Sequence, residues 1–506
     1  MSFPSVGAGD LTLILGLGET GLAAARWCLT HGARLRVLDT RLKPAGVDAL
    51  KAEPGAGGID FRLGPDAVSA DALEGAVRVV LSPGLSPLQE PVKSFLARAV
   101  ERNVEVVGEI ELFARALTDM AAHGYAPKVL AVTGTNGKTT VTALTRHLVE
   151  AGGLSARAAG NISPAALAAL ADALASGNLP DVWVLELSSF QLETTTSLVP
   201  DAATVLNLTQ DHLDWHGSMQ AYGAAKARLA AMAKVAIINR DDPLVAAMVP
   251  DTRGRDVRTF GVGEPSCCGD MGIENSHGVA WLAASEVNDF DLPVRPSRRK
   301  KNEAEPARDE GRMVRLMPLD ALRIRGMHNA MNALAALALA RSLGIGWAAM
   351  LPALREYRGE PHRTEFVRTI EGVDFINDSK GTNVGATVAA LEGLGRKVVL
   401  IAGGLGKGQD FSPLSDSVRR HARAVVLIGQ DGPIIGRALA QSGVELAHAE
   451  SLAEAVKCAL GMAREGDAVL LSPACASMDM FRNYRHRGTS FVEEVQALAL
   501  DRGEMA

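Results

Sequence analysis

A lysine and two threonines follow a glycine-rich turn in AVTGTNGKTT, positions 131–140, and that order of residue types suits a phosphate cradle. Gly134, Thr135, Asn136 and Gly137 can aim successive backbone N–H groups at one anion, because glycine takes up φ > 0 without steric cost. Lys138 can then reach the outer phosphates of a nucleotide. Thr139 can offer its hydroxyl to Mg²⁺ at a helix N-terminus, with Thr140 beside it. The full Walker pattern has a glycine where this chain has Val132, so only its second half matches, and an ordinary turn before a helix stays open. Two more groups point the same way. Glu186 and Ser188 end the apolar run of DVWVLELSSFQLETT, and Asp211 and His212 follow that of ATVLNLTQDHLDWH. A carboxylate and an imidazole at neighbouring strand ends suit a metal–phosphate site. Taken singly, Glu186 reads as a helix-capping carboxylate, His212 as a turn residue, and Lys226, in AYGAAKARLAAMA, as an exposed helix lysine.

A second glycine pattern opens the chain. Gly16, Gly18 and Gly21 spell GxGxxG after an apolar run, with a helix starting near Leu22, and Asp39 ends the next run, ARLRVLDTR. That is a dinucleotide fingerprint, so an NAD-dependent oxidoreductase or a nucleotide-binding regulatory module stays open on spacing alone. Ser82, Pro83 and Gly84 close a further strand, VRVVLSPGLSP. Asn329 and Asn332 share one face near the start of the helix GMHNAMNALAALALARSLG, where asparagine is a poor helix former.

The elements that must position these groups alternate short apolar strands with helical stretches, which predicts α/β architecture and parallel sheets with ligands at the strands' C-terminal ends. At ~150 residues per domain, 506 residues make three. Their boundaries fall at 1–108, 109–359 and 360–506, with a mobile, Pro-rich, charged insertion at 293–312. A net charge of −6 lacks the basic excess of nucleic-acid binders. The N-terminus has no basic region before its apolar stretch, and no apolar run reaches the ~18–20 residues of a membrane helix, so neither secretion nor membrane insertion is expected. Five cysteines (28, 267, 268, 458 and 475) with no metal spacing fit reduced, buried thiols in a cytoplasmic protein.

TGTNGKTT resembles the phosphate loop of the Mur ligases, which lacks the leading Walker glycine. Within that family VLELSSFQLETT, HNAMNALAALALA, PHRTEF, INDSKGTN and LLSPACASMDMFRNY are similar to the D-glutamate-adding branch, and the likeness runs from Gly16 to about Phe491. The resemblance implies a Rossmann-like UDP-binding domain, a central P-loop-type ATPase domain and a C-terminal Rossmann-like domain. It implies an ATP-dependent ligase that joins D-glutamate to UDP-N-acetylmuramoyl-L-alanine through an acyl phosphate, a cytoplasmic step of peptidoglycan synthesis on which cell shape and division depend. GxGxxG then holds a UDP-sugar in place of NAD. Gly18, Glu19 and Thr20 would meet the pyrophosphate (the Glu19 side chain pointing away), Asp39, Thr40 and Arg41 the uracil, and Ser82 and Gly84 the same groove. Asn161 would contact the muramoyl–alanine end. Two Mg²⁺ sites are implied, one on Thr139 and Glu186 with Lys138 on the phosphoryl group, the other on His212, which also meets the acceptor. Lys226 would be carbamylated and help position Mg²⁺. Asn329 and Asn332 would face adenine, Arg363 a phosphate and Asp378 the ribose. Thr382 and Lys407 match residues near the α-carboxylate of D-glutamate. Ser477 and Tyr484 match those near its side-chain carboxylate, Tyr484 standing where phenylalanine is common. Sister ligases adding L-alanine, a diamino acid or a dipeptide, and the folate polyglutamylating enzyme, are the nearest alternatives; the Arg-containing motif of the diamino-acid adders is absent.

Overall fold

The computed structural model describes residues 2–250, 254–287 and 308–504. Three sheets organise the chain. The first is all parallel, with strands in the spatial order Asp60–Leu63, Arg34–Asp39, Leu11–Leu15, Ala76–Leu81 and Glu105–Val107. Leu11–Leu15 is buried along its whole length, because helices or loops cover both faces of such a sheet.

The second sheet has nine strands. Its parallel part runs Ala156–Gly160, Val182–Glu186, Lys128–Thr133, Ala202–Val205, Val235–Asn239, Asp256–Phe260 and Met271–Ser276. Two antiparallel strands, Val279–Glu286 and Arg312–Pro318, complete it. The helix Met327–Ser342 is apolar on nearly every side, Ala330 and residues 333–340 being fully buried, and it packs on the helix Lys138–Ala151 that follows the phosphate loop. An Ala/Leu helix without a polar face is stable only inside a core.

The third sheet runs Glu365–Ile370, Val373–Asn377, Ala468–Leu471, Val398–Gly403, Ala422–Ile428 and Glu445–His448. It is parallel except for the first pair.

Three local expectations change. The first helix spans Glu19–Thr30 with Gly18 as its N-cap, so helical geometry begins before the apolar periodicity does. Most of the 293–312 segment lies outside the described residues, but 308–312 are tied into the fold rather than free of it. Arg308 pairs with Asp270 at 2.6 Å, Cys268 N–H donates to Asp309 O at 2.9 Å, and a strand starts at Arg312. Charge-rich composition cannot reveal a buried carboxylate waiting as a partner. All five cysteines are free, but only Cys28 and Cys475 are buried. Among the described residues no helix is long and apolar enough to cross a membrane.

Candidate active site

Strand Lys128–Thr133 delivers the phosphate loop, and the helix Lys138–Ala151 leaves it. Gly137 sits at φ 84°, and a Cβ there would lie 2.5 Å from Asn332 Oδ1, so loop and buried helix touch where only glycine fits. Lys138 Nζ donates to the carbonyls of Gly134 (2.9 Å) and Thr135 (2.8 Å). Burial pulls its pKa down, helped by Arg363 and opposed by Glu186 and Asp211. Glu186, the buried last residue of its strand, accepts Thr139 Oγ1 on Oε2 at 2.6 Å and Asn161 Nδ2 on Oε1 at 2.8 Å. The capping duty expected of a bland carboxylate falls to Ser188, whose side chain forms a capping box with Gln191.

His212 takes the left-handed conformation, φ 54°, as N-cap of the short helix Leu213–His216, and its ring lies 4.8 Å from that of Phe190. Burial lowers its pKa, with Lys138 and Lys226 adding to the effect against Asp211 and Asp214. Lys226 is not the exposed helix lysine of the local reading: it is 1% exposed. Its Nζ donates to Gly134 O at 2.8 Å and lies 4.6 Å from the Tyr222 ring centroid, beneath the phosphate loop. Burial drives its pKa well below the ordinary lysine value, and the neighbouring Lys138 charge works the same way.

Across from the phosphate loop, strand ends of the third sheet present a second set of groups. Asp378, one residue past Asn377, is buried and accepts Thr364 N–H at 3.1 Å and Ser472 Oγ at 2.7 Å. Burial pushes its pKa up to about 6. Lys380 Nζ lies 3.9 Å from the Tyr484 ring centroid, and burial, with Arg363 nearby, brings its pKa down to about 8. Lys407 is exposed at φ 53° on the loop after Gly403.

One cavity of about 730 Å³ takes its walls from both sets. From the residues singled out in the sequence it gathers Thr135, Asn136, Gly137, Lys138, Thr139, Thr140, Asn161, Glu186, Asp211 and His212 on one side and Asn329 and Asn332 at the back. Arg363, Asp378, Thr382 and Lys407 form the far side. Gly134 and Lys226 do not line the cavity; Lys226 lies beneath the loop on the Gly134 carbonyl. Ser477 is buried beside Ala476, which does line the cavity. Tyr484 begins the last helix, and its carbonyl accepts Ser379 Oγ at 2.8 Å. The cavity wall also includes Lys380, Asn383 and Gln409, which the sequence reading left unassigned although INDSKGTN and GKGQDF contain them. Their only local signal was a polar residue just past an apolar strand.

The GxGxxG turn stands apart from this cavity. A Cβ on Gly21 would lie 1.9 Å from Gly16 O, and Ser82 Oγ donates to the same carbonyl at 2.7 Å. Asp39 accepts Leu17 N–H at 2.8 Å and is clasped by Arg41 at 2.7 Å. Burial opposes its ionisation, but these bonds together keep its pKa below the usual value. Gly18, Glu19 and Gly84 are exposed, and Thr40 is half-buried. Glu19 lines an apolar groove with Leu22 and Leu167. Beyond Ser82 and Gly84 the loop reaches the His212 helix: Ser86 Oγ donates to Trp215 O at 3.2 Å and Gln89 Nε2 to Asp214 O at 3.3 Å. The loop after Gly84 is therefore bonded to the helix that His212 caps.

Among the described residues no group of three His, Cys, Asp or Glu side chains could cage a metal. Thr139 and Glu186 are hard oxygen donors 2.6 Å apart beside a phosphate loop. That donor set fits Mg²⁺, which commonly takes one or two protein oxygens and completes its shell with phosphate and water.

Three family models match the chain: a Mur ligase MurD-like N-terminal domain over residues 10–108, a Mur ligase middle domain over 132–340, and a Mur ligase glutamate ligase domain over 362–475. The UDP-N-acetylmuramoylalanine–D-glutamate ligase of Bordetella avium is 67% identical over 497 residues, covering 98% of this chain and 97% of that protein. The enzyme of the same name from Ralstonia nicotianae is 58% identical, covering 98% and 99%. The solved structure of MurF ligase from Thermotoga maritima in complex with ADP shares the fold at a TM-score of 0.57 and 16% identity, covering 98% of this chain and 96% of that one. UDP-N-acetylmuramate–alanine ligase MurC from the same organism shares it at 0.54 and 21%, covering 96% and 99%. With its phosphate loop and facing third-sheet loops in place and relatives this close along almost its whole length, the chain belongs to the Mur ligase family.

Proposed function

We propose that this enzyme joins D-glutamate to UDP-N-acetylmuramoyl-L-alanine at the expense of ATP, in three domains spanning 1–108, 109–359 and 360–506. The observation that carries the reading is the single cavity in which Lys138 and Glu186 face Thr382 and Lys407. A phosphoryl-transfer apparatus and cationic and hydroxyl groups for a small acid then share one space.

The acceptor carboxylate attacks the γ-phosphorus, ADP leaves, and an acyl phosphate forms. The amine of D-glutamate attacks the acyl carbon, losing a proton, and phosphate leaves from the tetrahedral intermediate. Two anions must meet in the first step, so positive charge decides its rate. Lys138 and the loop residues Gly134, Thr135, Asn136 and Gly137 hold the phosphates, with Thr140 beside them. The Thr135 and Asn136 N–H groups are engaged by Asn207, at 2.9 Å to its carbonyl and 2.8 Å to its Oδ1, so the Gly137 N–H and the Lys138 ammonium carry the contact. Thr139 and Glu186 would hold Mg²⁺, which would supply positive charge to the transferring group. His212, its pKa lowered by burial, would offer a neutral imidazole as a ligand for a second Mg²⁺. Lys226, buried with a depressed pKa, is the kind of amine that reacts with CO₂, and as a carbamate it becomes an anion on the phosphate-loop side.

Asn329 and Asn332 face adenine, Asp378 the ribose and Arg363 a phosphate. Thr382 and Lys407 take the α-carboxylate of D-glutamate, Ser477 and Tyr484 its other end. Gly18, Glu19, Thr20, Asp39, Thr40, Arg41, Ser82 and Gly84 hold the UDP, and Asn161 the muramoyl–alanine end. This reading puts the enzyme in the cytoplasm, in peptidoglycan synthesis, with no nucleic-acid partner and no membrane insertion. Borohydride trapping tests the intermediate. With ATP, Mg²⁺ and UDP-N-acetylmuramoyl-L-alanine alone, reduction must yield the alcohol of the alanyl carboxylate, and its absence would rule out the acyl phosphate.

A further inference from the structure

We propose that Asn383 is a positioning residue that holds the amino-acid loops in register with the phosphate loop, so that the acyl phosphate forms only where the amine can reach it; this rests on the ligase reading above. Asn383 is 7% exposed, and its amide works at both ends. Its Oδ1 accepts Ala386 N–H at 2.9 Å, capping the helix Val384–Gly393. Its Nδ2 crosses the cavity to donate to Asn136 Oδ1 at 3.1 Å and Asp211 Oδ2 at 3.4 Å.

Those acceptors belong to the two loops that carry the phosphate chemistry, one inside Gly134–Gly137 and the other beside His212. Asn136 is itself fixed, its N–H donating to Asn207 Oδ1 at 2.8 Å and its carbonyl accepting Asn207 Nδ2 at 3.1 Å. The approach is close: a Cβ on Gly385 would meet Thr209 Oγ1 at 3.0 Å and Asn136 Nδ2 at 3.4 Å. Thr382 is the preceding residue, so the clasp sets where an amino acid held there lies against the γ-phosphate. Aspartate and serine cap helices as well as asparagine does, but neither has an amide N–H to reach across. The two duties can therefore be separated by mutation.

The test compares wild type, Asn383→Ser, Asn383→Asp, and Asn383→Asp combined with Asp211→Asn. Each is assayed with ATP, Mg²⁺, UDP-N-acetylmuramoyl-L-alanine and D-glutamate for melting temperature, kcat and phosphate released per amide formed. Wild type should give one phosphate per amide. Asn383→Ser keeps the cap, so its melting temperature should stay, while kcat falls about three- to tenfold, the loss of one hydrogen bond's free energy. Phosphate per amide should rise above one as water reaches the misplaced intermediate. Asn383→Asp should be worse, because its carboxylate faces that of Asp211, and the double variant, with donor and acceptor exchanged, should regain coupling. A fully coupled Asn383→Ser with kcat within twofold of wild type would overturn the proposal. Wild type without D-glutamate-dependent phosphate release would instead remove the ligase reading and this proposal with it.

Discussion

Replacing Gly137 with alanine should damage ATP binding far more than anything else the enzyme does. At φ 84° an L-residue is strained by about 1–2 kcal/mol relative to glycine. The new Cβ would also lie 2.5 Å from Asn332 Oδ1 and 3.3 Å from Leu206 Cδ1. Leu206 can remain, but the Asn332 amide must turn away. Turning breaks its hydrogen bond from Nδ2 to Asn329 Oδ1, 3.2 Å long, and spoils the pair of amides proposed to face adenine. One such bond adds about 0.5–1.5 kcal/mol. The free loop can relax to relieve the strain, whereas a loop holding phosphate cannot. Most of the sum, about 2–3 kcal/mol, therefore enters the ATP affinity and raises the KM for ATP roughly 30- to 150-fold. Gly153 supplies the control. It has φ 86°, lies beyond the far end of the same helix, and its added Cβ would meet nothing within 4 Å. Gly153→Ala should lower the melting temperature and leave the ATP KM alone. Initial rates against ATP, with melting curves for both variants, decide the matter. A Gly137→Ala enzyme whose ATP KM stays within twofold of wild type would refute the argument that this glycine is demanded by the contact with Asn332.

Lys226→Ala should abolish activity and recover part of it with formate or acetate; no recovery would leave Lys226 as a structural amine bonded to Gly134 O. Asp378→Asn should weaken nucleotide binding yet stabilise the fold. The folded pKa of Asp378, about 6, is raised from 3.8, so the native state binds the extra proton and stability falls as pH rises through that window. The gain in Asp378→Asn should thus be absent near pH 4 and reach roughly 1–3 kcal/mol by pH 7.5, at 1.36 kcal/mol per pKa unit, and a gap between the melting curves that ignores pH would contradict it. Lys380, brought down to about 8, loses its charge as pH rises past that value, and activity should fall with it. In Lys380→Arg the alkaline limb should move upward, because guanidinium stays charged; an unmoved limb would assign it to another group.

The sequence declared its loops more clearly than its distances. Gly134 to Thr140 could be read locally, because the residues that cradle a phosphate are contiguous and glycine marks the turn. The same held for Glu186, the last residue of an apolar strand; His212 stands seven residues past the strand end at Val205, and the role of Asp378 came from the family resemblance. Lys226 was locally misleading: an Ala-rich helix gives no sign that the face carrying its lysine packs beneath the phosphate loop. Lys380 and Asn383 were hidden for another reason. Their meaning comes from partners far along the chain, Asn136 being 247 residues from Asn383, and one sequence offers no view of such pairs. Residues 308–312 were misread by composition, because Arg308 reads as solvated charge until Asp270 is placed beside it.

The central claim, amide formation from D-glutamate driven by ATP, is tested most directly by phosphate release. The enzyme is given ATP, Mg²⁺ and UDP-N-acetylmuramoyl-L-alanine, with D-glutamate, L-glutamate, L-alanine or meso-diaminopimelate added separately. Sustained release with D-glutamate alone is the predicted result. Release driven by another amino acid would contradict the assignment of Thr382, Lys407, Ser477 and Tyr484 to D-glutamate, and silence with all four would contradict the ligase itself.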